Sequence, residues 1–251
     1  MAKSRLNDPT VYGRRAKIGV IVPPTNSANE AEWWQMAPPG VSIHSARMPL
    51  HTDTQSDGGR AALLTDIEQY CHALAQVGPD VVVYGCTAGS MTSPPSALAG
   101  AMQNFCGLPA VTTAQSIVEA LRALKVSTVS IGTPYHDALN HHEVAFLEAE
   151  GFRVAAIEGL GYGEKGPAEY RNIARIPMTE VGALAQRVDR PEADAVLLSC
   201  TDMATADLLQ DMEVDLGKPV ISSNSATFWY ALRTAGLDDQ LGGYGQLLSA
   251  H

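Results

Sequence analysis

The 251-residue sequence predicts an α/β protein made of two similar Rossmann-like lobes with parallel sheets. Short apolar runs rich in β-branched residues alternate with longer segments of helical period, the pattern of strand–helix–strand units. The runs show little alternation of polar and apolar residues, as expected of parallel strands buried on both faces. A motif repeated after about 110 residues divides the chain into two related halves.

Eight strands are predicted, at 17–22, 41–46, 80–85, 110–113, 127–132, 152–157, 195–200 and 219–223. Helical periodicity predicts helices near 58–78, 114–124, 137–150, 178–189, 203–213 and 225–235. Trp33 and Trp34 stand on a further predicted helix, where they serve either lobe packing or a dimer surface. No low-complexity linker separates the two halves.

The repeat is clearest where two apolar strands end. VVVYGCTAGS ends at Ser90 and AVLLSCTDMA ends at Ala204, which sets Cys86 and Cys200 114 positions apart. LPAVTTAQSIVEALRAL (108–124) resembles KPVISSNSATFWYALRTA (218–235) at an offset of 110. We therefore expect two lobes related by a pseudo-two-fold axis. The predicted division gives residues 1–113 and 220–251 to the first lobe and 114–219 to the second.

The amino-acid composition limits the classes of molecule that the protein is expected to bind. The formal net charge of −10 argues against binding to nucleic acid or to an anionic membrane. The segment MAKSRLNDPTVYGRRAK lacks the apolar stretch of a secretion signal, and no run approaches the ~18 apolar residues of a membrane span. We expect a soluble, cytoplasmic protein whose four cysteines are free thiols. No C-x-x-C pair indicates a metal site, and no GxGxxG follows the first strand.

Ligands of open α/β sheets bind beyond the carboxyl ends of the strands. Cys86, Cys200, Asn26 and Tyr135 all follow predicted strands directly. The two Cys-Thr turns should therefore face each other across a cleft between the lobes, with a thiol on each side of a small acid. Cysteines elsewhere, Cys71 and Cys106, are interpreted as packing residues.

Backbone N–H groups at such turns hold carboxylates well. The predicted donors are those of Thr87, Ala88, Thr201 and Asp202, supplemented by the two threonine hydroxyls. Asp202 would repel a carboxylate unless its side chain points away. Arg47 either holds a carboxylate or forms a structural salt bridge. The histidines at 136, 141 and 142 are interpreted as a solvated helix start.

Four further segments carry a family resemblance. IVPPTNSANEAE (21–32) is similar to the pattern V-P-S-S-N-T-x-x-E, and HSARM (44–48) to H-S-S-R-M. With PVISSNSATFWYALRTAG (219–236) and GYGQLL (243–248), they resemble the aspartate/glutamate racemase superfamily, in its branch of maleate cis-trans isomerases and arylmalonate decarboxylases. The resemblance runs from about Lys17 to Gln246. It implies two α/β lobes, one cysteine from each, no cofactor and no metal.

The resemblance also implies roles. Asn26 and Tyr135 match substrate-binding positions of the isomerases, whereas decarboxylases keep only the second cysteine and have glycine at the first. Cys86 therefore favours isomerase or racemase chemistry. Two departures stand out: the first cysteine precedes Thr-Ala-Gly-Ser in place of a hydrophobic sequence, and Tyr170 takes the position of a second substrate-binding asparagine.

The function expected from this resemblance is cofactor-independent isomerisation of a small carboxylic acid, with maleate to fumarate as the first choice. Cys86 would add to the alkene as a thiolate, and Cys200 would handle a proton, so at least one of the two thiols is expected to have a lowered pKa. Alternatives are an amino-acid or hydantoin racemase, or an arylmalonate-type decarboxylase using the same cleft. A non-catalytic binding protein is the least favoured. The expected ligand is a small mono- or dicarboxylate, and the assembly a homodimer or larger homo-oligomer.

Overall fold

A computed structural model describes residues 11–54, 56–91 and 94–251. Residues 1–10, which begin the segment tested above for a secretion signal, lie outside the described part. The first half contains β1 (Ala16–Val22), α1 (Asn29–Met36), β2 (Val41–Arg47), α2 (Asp57–Ala75), β3 (Val81–Tyr84), α3 (Thr87–Ser90), α4 (Pro95–Cys106), β4 (Ala110–Thr112) and α5 (Thr113–Ala123).

The second half follows the same plan with one added segment. It contains β5 (Thr128–Tyr135), α6 (Asp137–Ala149), β6 (Arg153–Tyr162), a 3-10 helix (Pro167–Arg175), α7 (Met178–Val188), β7 (Ala195–Leu198), α8 (Leu209–Leu216), β8 (Val220–Ser222), α9 (Ser223–Thr234) and α10 (Gln246–Ala250). The 3-10 helix has no counterpart in the first half.

The strands form two four-stranded parallel sheets, in the orders β2-β1-β3-β4 and β6-β5-β7-β8. These orders are identical once each half is numbered from its own first strand. The predicted fold, two similar α/β lobes with parallel sheets, is therefore confirmed. Because strands β3 and β7 end in the two Cys-Thr turns, equivalent positions of the two lobes carry the two cysteines.

Hydrogen bonds and helix caps recur at equivalent positions of the two lobes, at about the same spacing as the repeated sequence motifs. The Asp80 carboxylate accepts from Lys17 N at 2.8 Å, and the Asp194 carboxylate accepts from Thr128 N at 2.8 Å, each at the start of a lobe's first strand. Gly107 caps the C-terminal end of α4 and Gly217 caps that of α8, with φ of 68° and 66°. Glycine adopts this left-handed conformation without the Cβ penalty, so both helices close in the same way.

The lobes join through paired helices. Helices α5 and α9 pack against each other, and α9 also contacts β3, β4 and α1. Trp33 is fully buried against Phe228, with ring centroids 5.3 Å apart, whereas Trp34 is 55% exposed. Lobe packing is thus the role of Trp33. No helix of the described residues is long and apolar enough to span a membrane.

Two predicted boundaries need correction. The helix expected at 203–213 begins only at Leu209, because the N–H groups of Thr205 and Ala206 bind the Glu32 carboxylate instead of continuing a helix. Strand β8 pairs with β7 in the second sheet, although the predicted division assigned residues from 220 onward to the first lobe. The rest of that division remains a proposal.

Candidate active site

A cavity of about 320 Å³ lies between the lobes, at the carboxyl ends of both sheets. Six of the eight predicted site residues line it: Cys86, Cys200, Asn26, Ala88, Tyr135 and Asp202. The pseudo-symmetric turns therefore do meet at one site. Its position follows from the fold, since parallel strands direct the loops that follow them to one edge of the sheet.

Cys86 lies at the start of α3, beside two donors. Burial raises the pKa of its thiol above the ordinary value, while hydrogen bonds from Gly89 N–H and the Tyr84 hydroxyl oppose the rise. A Cβ placed on Gly89 would collide with Tyr84 Oη and lie 3.1 Å from Cys86 Sγ, which shows how closely the three groups approach. The expectation of a lowered thiol pKa is therefore wrong for Cys86, because desolvation outweighs the two hydrogen-bond donors.

Cys200 is the weaker acid of the pair. Burial raises the pKa of its thiol to about 12, against hydrogen bonds from the Tyr135 hydroxyl and from Asp202 N–H, whose nitrogen lies 3.3 Å from Cys200 Sγ. The charges of Asp202 and Cys86 raise it further. Each thiol thus has a tyrosine partner, but only Cys200 has a carboxylate beside it.

The Asp202 carboxylate points toward the other lobe. Its Oδ1 accepts from Ser27 N at 2.8 Å and from Ala28 N at 3.3 Å, just before α1. Burial raises the pKa of Asp202 to about 6, while these N–H groups and the charge of Arg47 oppose the rise. Asp202 therefore acts as an anion supplied by the protein itself.

Glu32 makes the reverse connection from α1 to the second lobe. Its carboxylate accepts from Thr205 N, from Ala206 N at 2.7 Å and from Asn224 Nδ2 at 2.6 Å. Burial still raises its pKa. We call this pair of contacts, Asp202 onto Ser27–Ala28 and Glu32 onto Thr205–Ala206, the reciprocal clasp.

Asn26 is held by several contacts. Its Oδ1 accepts from Ala28 N at 3.1 Å and Asn29 N at 3.0 Å, and its Nδ2 donates to Thr201 Oγ1 at 3.1 Å. One amide hydrogen of Asn26 remains for a ligand. The backbone of Asn26 is fixed as well, since its carbonyl accepts from Arg47 at 2.6 Å. Arg47 also pairs with Glu30, so it is a structural salt-bridge residue.

Thr87 and Thr201 are buried and do not line the cavity. Thr87 Oγ1 donates to Ser223 Oγ at 2.9 Å, and Thr201 Oγ1 donates to Gly85 O at 3.1 Å. Both hydroxyls therefore bridge the lobes, and neither is open to a ligand in this conformation. The N–H groups of Thr87 and Ala88 donate to no acceptor in the described ranges. Asp202 N–H already donates to Cys200 Sγ.

Most residues of the remaining cavity wall were not predicted from the sequence. It comes from the loop at 50–54, from Ala138, Leu139 and His142 on α6, and from Tyr170 and Ile173 on the 3-10 helix. His142 Nε2 lies 3.1 Å from Met91 O, so it is part of the wall and not a solvated helix start. Tyr84 was missed too, although strand periodicity places it on the same side as Cys86.

A buried carboxyl group lies behind this wall. Glu143 on α6 is 1% exposed, and neither of its carboxylate oxygens has a hydrogen-bond partner in the described chain. Burial raises the pKa of Glu143 to about 8, and the nearby Ser199 hydroxyl opposes the rise. No group of three His, Cys, Asp or Glu side chains among the described residues is arranged to hold a metal ion.

The chain matches the family model of arylmalonate decarboxylase over residues 18–248. It belongs to the arylmalonate decarboxylase family. Its relatives in this family have more than one activity. A maleate isomerase from Nocardia farcinica is 33% identical over 92% of this chain and 95% of its own length. The arylmalonate decarboxylase of Bordetella bronchiseptica is 31% identical, over the same shares of the two chains.

Solved structures of the family agree with the fold. A maleate cis-trans isomerase of N. farcinica, a mutant with cysteine changed to serine and a covalently bound succinylcysteine intermediate, superposes with a TM-score of 0.83 at 29% identity. That match covers 94% of this chain and 99% of the other. An arylmalonate decarboxylase structure gives a TM-score of 0.79 at 30% identity, covering 92% and 98%.

Proposed function

We propose that the protein is a cofactor-independent cis-trans isomerase that uses Cys86 as nucleophile and Cys200 as proton donor, with maleate as the first substrate to test. The observation that carries the proposal is the placement of the Cys86 and Cys200 thiols on one cavity between the lobes. The similar maleate isomerases support it, as does the succinylcysteine found in one of them.

In the proposed mechanism Cys86 first loses its proton to solvent, and the resulting thiolate then adds to one alkene carbon of the substrate. A C–S bond forms as the π bond breaks, and the electron pair moves onto the adjacent carboxylate as an enediolate. Donors at this carboxylate are the Ala88 N–H group and the second amide hydrogen of Asn26. Tyr135 lines the cavity beside them, and its hydroxyl donates to the Cys200 sulfur.

The next steps restore the double bond. Cys200, kept protonated by its high pKa, gives a proton to the enediolate carbon, and the molecule rotates about the new single bond. Cys200 then takes a proton back from that carbon while the C–S bond breaks, which regenerates the Cys86 thiolate and releases the trans isomer. The cycle therefore begins and ends with the Cys86 thiolate and the Cys200 thiol, and the one proton that is transferred passes from Cys200 to carbon and back.

Two single substitutions test these roles. Cys86→Ala should abolish fumarate formation, and Cys86→Ser should do nearly as badly because a hydroxyl is a poor nucleophile at neutral pH. Cys200→Ala should lower turnover by about 10²–10⁴-fold, the usual worth of a proton-handling group. Its intact mass after incubation with maleate should show one adduct, on Cys86.

Cys106→Ala serves as the control, because Cys106 is partly buried at the end of α4 and does not line the cavity. It should isomerise maleate like the wild type. Undiminished turnover in Cys86→Ala would refute the nucleophile assignment.

A second candidate is supported by the apolar part of the wall, formed by Leu50, Leu139 and Ile173. This wall suits an acid with an apolar substituent, such as an arylmalonate or a racemisable α-substituted acid. A decarboxylase would keep its activity in Cys86→Ala and lose it in Cys200→Ala. A racemase would lose racemisation in both variants, while each could still exchange the α-proton for deuterium.

The expected cytoplasmic location and homo-oligomeric assembly also remain proposals, as does the absence of a cofactor. Light scattering of the purified protein measures its oligomeric mass. Assay after exhaustive dialysis against a chelator tests the cofactor expectation, since a cofactor-independent isomerase should keep full activity.

A further inference from the structure

The segment that leads into α1 reaches the cavity at Asn26, and the backbone N–H groups that follow Asn26 are closed to a ligand. The N–H groups of Ser27, Ala28 and Asn29 are occupied by two acceptors of the protein, Asp202 Oδ1 and Asn26 Oδ1. In the second Cys-Thr turn the Asp202 N–H donates to Cys200 Sγ, and Thr201 does not line the cavity. The Asp202 carboxylate, which belongs to the chain itself, thus occupies the position opposite the first Cys-Thr turn.

The positive charge that acts on Asp202 comes from outside the cavity. Among the described residues that line it there is no lysine or arginine. Arg47, whose charge reaches Asp202, pairs with Glu30 and donates to the Asn26 carbonyl. Two of the described residues on the cavity wall are histidines: His51 pairs with Asp66 at 2.8 Å, and His142 Nε2 lies 3.1 Å from Met91 O.

We propose that Asp202 is a specificity-determining residue that closes the second anion position, so that the site takes an acid with one ionised carboxylate and an uncharged opposite end. This rests on the proposed function, in which the first turn holds one carboxylate. Two like charges across so small a cavity repel each other, and such contacts are a common means of rejecting a ligand. The uncharged end would lie against Leu139, Tyr170 and Ile173.

The test compares maleate with maleamate, its monoamide, which has the same shape and one charge fewer. At pH 8 Asp202 is ionised, since its pKa is about 6. The wild type should isomerise maleamate with a kcat/KM at least about tenfold above that for maleate, and Asp202→Asn should reduce the preference by about tenfold. The asparagine oxygen still accepts from Ser27 and Ala28, so only the charge is removed.

The ratio of the two kcat/KM values does not depend on the fraction of folded enzyme, which keeps the test valid if Asp202→Asn is less stable. Asp211→Asn, the same change at an exposed position of α8, should leave the ratio as in the wild type. An equal or higher kcat/KM for maleate in the wild type, with no change of ratio in Asp202→Asn, would overturn the inference and leave the proposed function intact.

Failure to isomerise either compound would instead remove the proposed function. The inference then rests on binding alone, measured as protection of Cys86 from alkylation. Succinamate should protect the wild type at a lower concentration than succinate, and Asp202→Asn should narrow the difference. Equal protection by the two compounds in both proteins would refute the charge selection independently of catalysis.

Discussion

Burial raises the pKa of both thiols that line the cavity, but their identical Cys-Thr turns continue differently. After Cys86 the chain reads Thr-Ala-Gly-Ser, which supplies N–H donors and no charge. After Cys200 it reads Thr-Asp, which sets a carboxylate near the sulfur and helps to raise the pKa of that thiol to about 12. A nucleophile needs the thiolate and an acid needs the proton, so the difference matches the two roles proposed for them.

Tyr84 is expected to control how readily Cys86 ionises. Tyr84→Phe removes the hydroxyl that donates to the sulfur, so the pKa of Cys86 should rise. A hydrogen bond to a charged group contributes about 1.5–3 kcal/mol, so alkylation of Cys86 at a fixed pH should slow by about ten- to a hundredfold. The measurement is the iodoacetamide rate at Cys86 against pH, by peptide mass spectrometry.

The control for Tyr84→Phe is Tyr70→Phe on α2, which lies outside the cavity lining and should leave the rate unchanged. Cys71, whose pKa burial raises to about 12, should remain unlabelled throughout and acts as an internal reference. Identical pH profiles for Tyr84→Phe and the wild type would show that the tyrosine does not influence the thiolate.

At the scale of the element, α3 matters because one small residue lets three groups converge. The methyl group introduced by Gly89→Ala would meet Tyr84 Oη and Cys86 Sγ. Helical propensity favours alanine by roughly 1 kcal/mol, yet the clash should displace the tyrosine or the sulfur and lower both alkylation and turnover by at least about tenfold. Steady-state kinetics and Cys86 labelling measure the two effects.

Gly100→Ala on α4 provides the matched change, since its methyl group would meet nothing within 4 Å. It should keep wild-type activity and gain a little stability. Wild-type turnover in Gly89→Ala would mean that the close approach at α3 has no bearing on the reaction.

Strands and helices could be predicted from the sequence where local sequence signals determine them. All eight strands and the repeated Cys-Thr turns follow from apolar runs and from the duplication. The late start of α8 was not predictable, because Thr205 and Ala206 are bound by a carboxylate 173 positions or more away in the chain. The wall at 50–54 and at Ile173 carries no periodic pattern, so it required the tertiary structure, whereas the family resemblance had already pointed to Tyr170.

At the scale of the whole molecule, Glu143 should make stability depend on pH. Its folded pKa of about 8 lies above the ordinary glutamate value of 4.5, so the folded state binds the proton more tightly than the unfolded state. The stabilisation is complete below about pH 4.5 and is lost as pH rises through about 8. Other groups titrate in the same interval, so the comparison that isolates Glu143 is Glu143→Gln against the wild type.

Urea denaturation between pH 5 and 9 provides the measurement. The advantage of Glu143→Gln over the wild type in the free energy of unfolding should grow as pH rises across this range. Glu148→Gln, an exposed change on the same helix, should follow the wild-type curve. Parallel curves for Glu143→Gln and the wild type would show that the buried carboxyl keeps an ordinary pKa.

The reciprocal clasp has a mechanical consequence for the cleft. Each lobe inserts a carboxylate into the backbone of the other at α1, and separating them there would expose Glu32 and Asp202 without their donors. Hydrogen bonds to charged groups contribute about 1.5–3 kcal/mol each, so the edge of the cleft at α1 should remain closed during thermal fluctuations. Any opening that admits substrate should therefore pivot about α1 and move the other parts of the cavity wall, the loop at 50–54 and the 3-10 helix.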